Sequence, residues 1–286
     1  MSAPRPPPPE PVPVEHAWPR RALRTLQFAL ARLVSRDGYV RARAAPFDLS
    51  FTGPAADVIT RHIYRFGAHE PAITRYLLEH VHLSAGDVAF DVGANLGWYS
   101  VLLQRLSEPG ARIFAFEPDP ETYALLCRNL ADNRADRVTP VNAALGAAPG
   151  TARLHRYKQS NNGRHTLIDD GQRKQTVSVA VDTLQSFWNR EALGQCPIRL
   201  LKIDVEGFEY FVLKGAGELL GRCENVLLEY SPGGLALAGL RPAALIELLQ
   251  AAHLSARAFV AGTPVPMSFA QLAETKVQHD LLLAPG

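Results

Sequence analysis

Apolar residues recur along this chain with two different periods, and the places where the period changes mark its organisation. Over 18–35, Leu23, Leu26, Leu30, Leu33 and Val34 fall on one face of a helix, with Arg20, Arg21, Arg24 and Arg32 elsewhere around it. After Asp57 a helical spacing returns, breaks at Gly67, and resumes past Pro71 with Ile73, Leu77, Leu78 and Val81. Short buried runs then alternate with helical stretches. Strands are expected at 88–92, 112–117 and 138–142, and helices at 99–106 and 120–133. This β-α-β-α-β order predicts a parallel sheet with right-handed crossovers.

Two period-two runs, 151–157 and 175–181, interrupt that order and flank a polar loop, 159–171. They predict an antiparallel pair, because a parallel crossover would need a helix between them. Strands resume at 199–204 and 225–230, helices at 208–220 and 242–252, and two more strands fall near 256–261 and 280–284. The expected fold is therefore a doubly wound α/β sheet of about seven strands with an antiparallel insertion, preceded by N-terminal helices. Residues 1–16 form a proline-rich tail, read as extended and mobile; 17–56 hold the arginine-bearing helix and a connector; 57–286 form the main domain. A basic amphipathic helix can lie on an anionic membrane. The favoured expectation is that it docks on its own domain or on a neighbouring subunit with its arginine face solvated.

Composition narrows the partners. The 286 residues have a formal net charge of +2, without the basic excess of a nucleic-acid binder, so a small molecule is the expected partner. The three cysteines, Cys127, Cys196 and Cys223, lie far apart with neither disulfide-framework nor zinc spacing, as in a reducing cytoplasm. No apolar run approaches the roughly 20 residues that span a bilayer, and no signal-peptide pattern opens the chain. A soluble, cytoplasmic protein is expected.

The first chemical motif is Asp91-Val92-Gly93-Ala94-Asn95-Leu96-Gly97, set between a buried strand and a helix. Gly93 and Gly97 allow a tight turn and close approach to a ligand. In dinucleotide sites this turn carries a further glycine where Asn95 stands, and Asp91 at the strand end would repel a pyrophosphate. A zwitterion without phosphate, such as S-adenosylmethionine, fits better, its ammonium facing Asp91. The second motif, Phe116-Glu117-Pro118, ends the next strand, where an acid accepts bonds from ribose hydroxyls, so Glu117 is the expected ribose ligand. Asn142, ending the third strand, is placed for the adenosine end or, alternatively, caps the turn after it.

With these residues in view, the chain resembles the FkbM family of methyltransferases. The carrying segments are Phe66-Gly67-Ala68-His69-Glu70-Pro71, Phe90-Asp91-Val92-Gly93-Ala94-Asn95-Leu96-Gly97, Phe116-Glu117-Pro118, Asn142-Ala143-Ala144-Leu145-Gly146, Val181-Asp182-Thr183-Leu184 and Leu201-Lys202-Ile203-Asp204-Val205-Glu206-Gly207-Phe208-Glu209, spanning roughly 57–262. The resemblance implies a class I, Rossmann-like methyltransferase fold and an S-adenosylmethionine cofactor. It also implies O-methylation of a hydroxyl on a sugar, polyketide or other small metabolite. The tail and the arginine helix lie outside it.

Ligands of open α/β sheets sit beyond the carboxyl ends of the strands. Lys202, Asp204 and Glu206 end one such strand, and alternation puts them on one side of it. Asp204 is the first candidate for the acid at the reacting centre, Glu206 the second, with helix capping as the alternative role of Glu206 and pairing with an acid that of Lys202. His165, in the polar loop, is a third candidate base or an ordinary surface histidine. Glu70 could close over the cofactor or serve only as a helix N-terminal acid, and Glu229 is a further pocket candidate. No complete metal-ligand set is visible, and none is expected. Two other readings remain open: a nicotinamide-dependent oxidoreductase, disfavoured by the missing middle glycine and the lack of a Tyr-x-x-x-Lys pair, and a non-catalytic module that binds a membrane or a partner. Acceptor identity and homo-oligomeric state are not legible.

Overall fold

A computed structural model describes residues 18–157, 165–169, 171 and 175–286. The proline-rich tail and most of the polar loop fall outside the described residues. In chain order the elements are α1 (Trp18–Val34), β1 (Tyr39–Ala44), β2 (Leu49–Pro54), α2 (Val58–Phe66), α3 (Pro71–His80), β3 (Val88–Val92), α4 (Trp98–Arg105), β4 (Arg112–Phe116), α5 (Pro120–Asp132), β5 (Val138–Val141), β6 (Ala144–Leu145), β7 (Gly150–Arg156), β8 (Gln175–Asp182), α6 (Leu184–Arg190), β9 (Ile198–Ile203), α7 (Glu209–Ala216), β10 (Val226–Tyr230), α8 (Pro232–Leu237), α9 (Pro242–Ala251), β11 (Leu254–Val260), β12 (Thr263–Pro266), α10 (Phe269–Glu274) and β13 (His279–Pro285).

The main sheet runs β12-β11-β13-β10-β9-β3-β4-β5, eight strands where about seven were expected, the addition being the short hairpin strand β12. Strands β10, β9, β3, β4 and β5 are parallel neighbours, and β13 inserts antiparallel between β10 and β11. Order reverses between β3 and β9, the kind of switch point where open sheets leave a crevice. The antiparallel pair β7 and β8 forms as predicted, but as a separate sheet with β6 along its other edge.

Strand alternation divides the core. Val88, Phe90, Val92, Leu201, Ile203, Leu228 and Leu281 pack on one side of the sheet with Phe187 and Trp188 of α6. Ala89, Leu200, Leu227 and Leu282 face the other side, with Leu77 of α3 and Leu102 of α4. Asp91, Lys202, Glu229 and Asp280 share the phase of this second set, so one period-two rule brings four ionisable groups onto a single face.

The segment read as a connector is the hairpin β1–β2, whose Ala42, Ala44 and Phe51 are wholly buried. Two asparagines one turn apart, Asn129 on α5 and Asn133 at its C-cap, hold it. Asn129 bonds the amide and carbonyl of Thr52 (2.7 and 3.1 Å) and the carbonyl of Leu96 (2.9 Å); Asn133 bonds Ser50 in the same way (2.9 and 2.7 Å). Helix α1 corrects a second expectation. It docks through buried Phe28 and inward-turned Arg24, which leaves Leu23, Leu26, Leu30 and Leu33 in solvent. No helix among the described residues is long and apolar enough to cross a membrane.

Candidate active site

A cavity of about 430 Å³ opens over the carboxyl ends of β3, β4 and β9. Glu70, Gly93, Asn95, Glu117, His165, Lys202, Asp204, Glu206 and Glu229 line it, bringing together nine of the twelve residues singled out from sequence. Asp91, Gly97 and Asn142 are not among its lining residues, and each has another partner.

At the β3–β4 end, Gly93 and Asn95 both take left-handed backbone, with φ 79° and 50°. A Cβ on Gly93 would lie 1.9 Å from the carbonyl oxygen of Asp204, so this glycine, besides lining the cavity, admits the main chain that follows β9. Gly97 likewise makes room for Leu126, 2.7 Å from where its Cβ would stand. Glu117 accepts from the amides of Asn95 (3.0 Å) and Asp119 (2.9 Å), one per carboxyl oxygen. Burial pushes Glu117 up to about 7, against the pull of those two amides. Asn142 donates to the carbonyls of Glu117 (2.8 Å) and Pro118 (3.1 Å), fastening the loop that carries the acid. The Oδ1 of Asn95 is buried without a hydrogen-bond partner among the described residues.

At the other end Lys202 is the hub. Its register neighbours are Asp91 on β3 and Leu227 on β10. Its ammonium donates to the carbonyl of Gly93 (3.2 Å), lies 3.4 Å from both Asp91 Oδ1 and Asp204 Oδ2, and stands 5.2 Å from the ring centroid of Tyr99. Burial alone would depress the lysine, but Asp204, Asp91 and Glu70 more than reverse this and hold it charged. Asp91 is fully buried, and its second oxygen accepts from Ser100 Oγ at 2.6 Å. It is therefore a counter-ion beneath the cavity.

Enclosure raises Asp204, and Glu70 adds to this, while Lys202 opposes. For Glu70 the balance runs the other way: enclosure would raise it, but His69, the Tyr99 hydroxyl and Lys202 bring it below its ordinary value. Tyr99 donates its hydroxyl proton to Glu70 Oε2. Glu229 accepts from Gln278, and burial beside Asp204, Glu206, Glu209 and Asp280 pushes it up to about 10. Burial, Glu70 and Asp204 raise Asp280, its register partner on β13, to about 6.

The turn after β9 is closed by Glu209, which accepts from the amides of Val205 (3.2 Å) and Gly207 (3.0 Å). Phe208, not Glu206, occupies the N-cap position of α7, and no side chain caps the helix there. His165 Nδ1 accepts from the amide of Tyr157 at 3.0 Å. A neutral ring so engaged carries its proton on Nε2. Sequence reasoning passed over Tyr99, His69 and Asp280. Among the described residues no three such side chains are grouped to hold a metal ion.

A family model described as the methyltransferase FkbM domain matches residues 91–250. The chain belongs to this family. FkbM-family relatives include the hexuronic acid methyltransferase AglP of Haloferax volcanii, 30% identical over 187 residues that cover 65% of this chain and 70% of the relative. Another is the 31-O-demethyl-FK506 methyltransferase FkbM of Streptomyces tacrolimicus, 32% identical over 172 residues, 49% of this chain and 63% of that one. Among solved structures, the methyltransferase FkbM of Methylobacillus flagellatus KT aligns with 92% of this chain and 59% of its own at 15% identity and a TM-score of 0.42. The chain is thus a methyltransferase of the FkbM family, with a mostly parallel sheet as its frame.

Proposed function

We propose that the protein transfers a methyl group from S-adenosylmethionine to a hydroxyl of a sugar, polyketide or comparable small metabolite. Glu117 carries this reading: a buried carboxyl at the tip of β4, on the cavity wall, where ribose hydroxyls can reach lone pairs that the two amides leave over. The partnerless Oδ1 of Asn95 is a second acceptor available to a ligand N–H or O–H. Phe116, Pro118, Ala144 and Leu145 give this end apolar walls suited to a purine. The relatives' names supply the acceptor class, one a hexuronic acid and the other 31-O-demethyl-FK506. The same reading takes 57–286 as the methyltransferase domain and 17–56 as an appended helix and hairpin.

When bound, the cofactor supplies an electrophilic methyl on a sulfonium centre. The cavity holds the acceptor oxygen in line and sheds water, which is the larger part of such catalysis. Asp204 is the group that takes the hydroxyl proton, with Glu206 beside it in the cavity wall. Lys202 steadies the ionised form of Asp204 against the enclosure that opposes it. Titration calorimetry of the full-length protein tests the assignment: S-adenosylmethionine binds in preference to NAD, and Glu117→Gln weakens it about fiftyfold. Unchanged affinity in that variant, or a preference for NAD, would overturn it.

A further inference from the structure

Helix α1 turns its leucines away from the protein. Leu23, Leu26, Leu30 and Leu33 succeed one another at spacings of three and four, and with Val34 they are between 56 and 83% exposed. The opposite side does the holding: Phe28 packs on Tyr64 with ring centroids 5.2 Å apart, and Arg24 donates to the carbonyls of Arg43 (3.1 Å) and Tyr64 (2.9 Å). A single exposed leucine is ordinary; a contiguous row on one face marks a binding surface.

Charge decides what covers it. Residues 18–36 contain Arg20, Arg21, Arg24, Arg32 and Arg36 and no acid, although the whole chain carries a formal net charge of only +2. A second copy laid row against row would bring two such basic helices together with no carboxylate to bridge them. Residues 1–16 offer only Met1, Val12 and Val14 as larger apolar side chains among their prolines, too little to match the row. An anionic bilayer meets both requirements, hydrocarbon for the leucines and phosphates for the exposed Arg32 and Arg36. At seventeen residues with four arginines, α1 suits lying on a membrane and not spanning it.

We propose that the leucine face of α1 docks this methyltransferase on the surface of an anionic lipid bilayer. Because α1 rests on α2, whose Val58, Ile59 and His62 line the cavity, docking holds one wall of the cavity about one helix diameter, roughly 10 Å, from the docked helix.

Flotation of the full-length protein with vesicles tests this, using phosphatidylcholine alone and phosphatidylcholine with about one third phosphatidylglycerol. Binding is expected to the anionic vesicles and to fall steeply with salt. Leu26→Asp with Leu30→Asp lowers the partition more than about tenfold without lowering the melting temperature, as both residues are exposed. Arg32→Gln with Arg36→Gln lowers it about twentyfold on anionic vesicles. Absence of binding, equal binding to neutral vesicles, or indifference to the leucine variant would overturn the proposal. So would a dimer, seen by light scattering, that the leucine variant splits; the row would then belong to a second copy.

Discussion

At the β3–β4 end of the cavity Glu117 and Asn142 are matched to main chain, Glu117 to two amides and Asn142 to two carbonyls, and the Oδ1 of Asn95 is left for a ligand. At the β9–β10–β13 end Asp204, Glu70, Asp91 and Asp280 are set around one ammonium, that of Lys202, with Glu229 pressed against Asp204 and Asp280. Main-chain partners do not titrate and move only with the fold, so the first end is preorganised to bind one ligand shape. Side-chain partners exchange protons and charge with one another, so the second end can change state during a reaction. Binding and chemistry are thereby separated along one crevice.

Gly93 joins the two ends, and replacing it should have the largest effect. Gly93→Ala sets a methyl group against the Asp204 carbonyl and strains a left-handed backbone, with an expected loss of about 3 kcal/mol or more in urea unfolding. Near-normal stability would show that the ends are not locked together. Asp204→Asn comes next: turnover should fall about a hundredfold while affinity for S-adenosylmethionine stays within about twofold, so that a loss of both would erase the proposed division.

Proton linkage should show in stability at both ends, and furthest in pH at the acid-rich one. Burial raises Glu117 and Glu209 to about 7 and Glu229 to about 10, so above about pH 4.5 the folded protein keeps protons that the unfolded chain has released. Stability therefore declines as pH rises, through about 7 for the first two and through about 10 for Glu229. Glu229→Gln, which retains a neutral side chain, is expected to flatten the upper part of this slope and to raise the melting temperature at pH 8 by about 3 °C. An unchanged slope would mean that Glu229 is ionised in the native state. The smallest effect is expected at the other end: Asn142→Ala removes two hydrogen bonds at the surface and should weaken nucleoside binding about threefold, measured by calorimetry.

The strand–helix alternation of 88–142 was legible because its strands are short, apolar and each followed by an amphipathic helix. The same clarity exposed the Gly93–Gly97 turn and the acid of Glu117, which are local in sequence. Pairings across the sheet were hidden. Lys202 meets Asp91 only because β9 lies beside β3, and Glu229 meets Asp280 only because β13 inserts next to β10. Gly93 was attributed to ligand approach, yet its neighbour is the Asp204 carbonyl, a contact that depends on the same strand order. The β1–β2 hairpin escaped because its inward residues include Ala42 and Ala44, weak apolar signals, and because Asn129 and Asn133 look like surface residues of a helix until a strand is laid against them. The leucine periodicity of α1 located an apolar face without saying whether the protein itself would cover it.

In a crystal structure of the protein grown with S-adenosylhomocysteine, ribose hydroxyls should lie within about 3 Å of Glu117, with the nucleoside between the Gly93–Asn95 turn and the loop fastened by Asn142. Nucleoside density elsewhere, with Glu117 bonded only to the amides of Asn95 and Asp119, would contradict this placement.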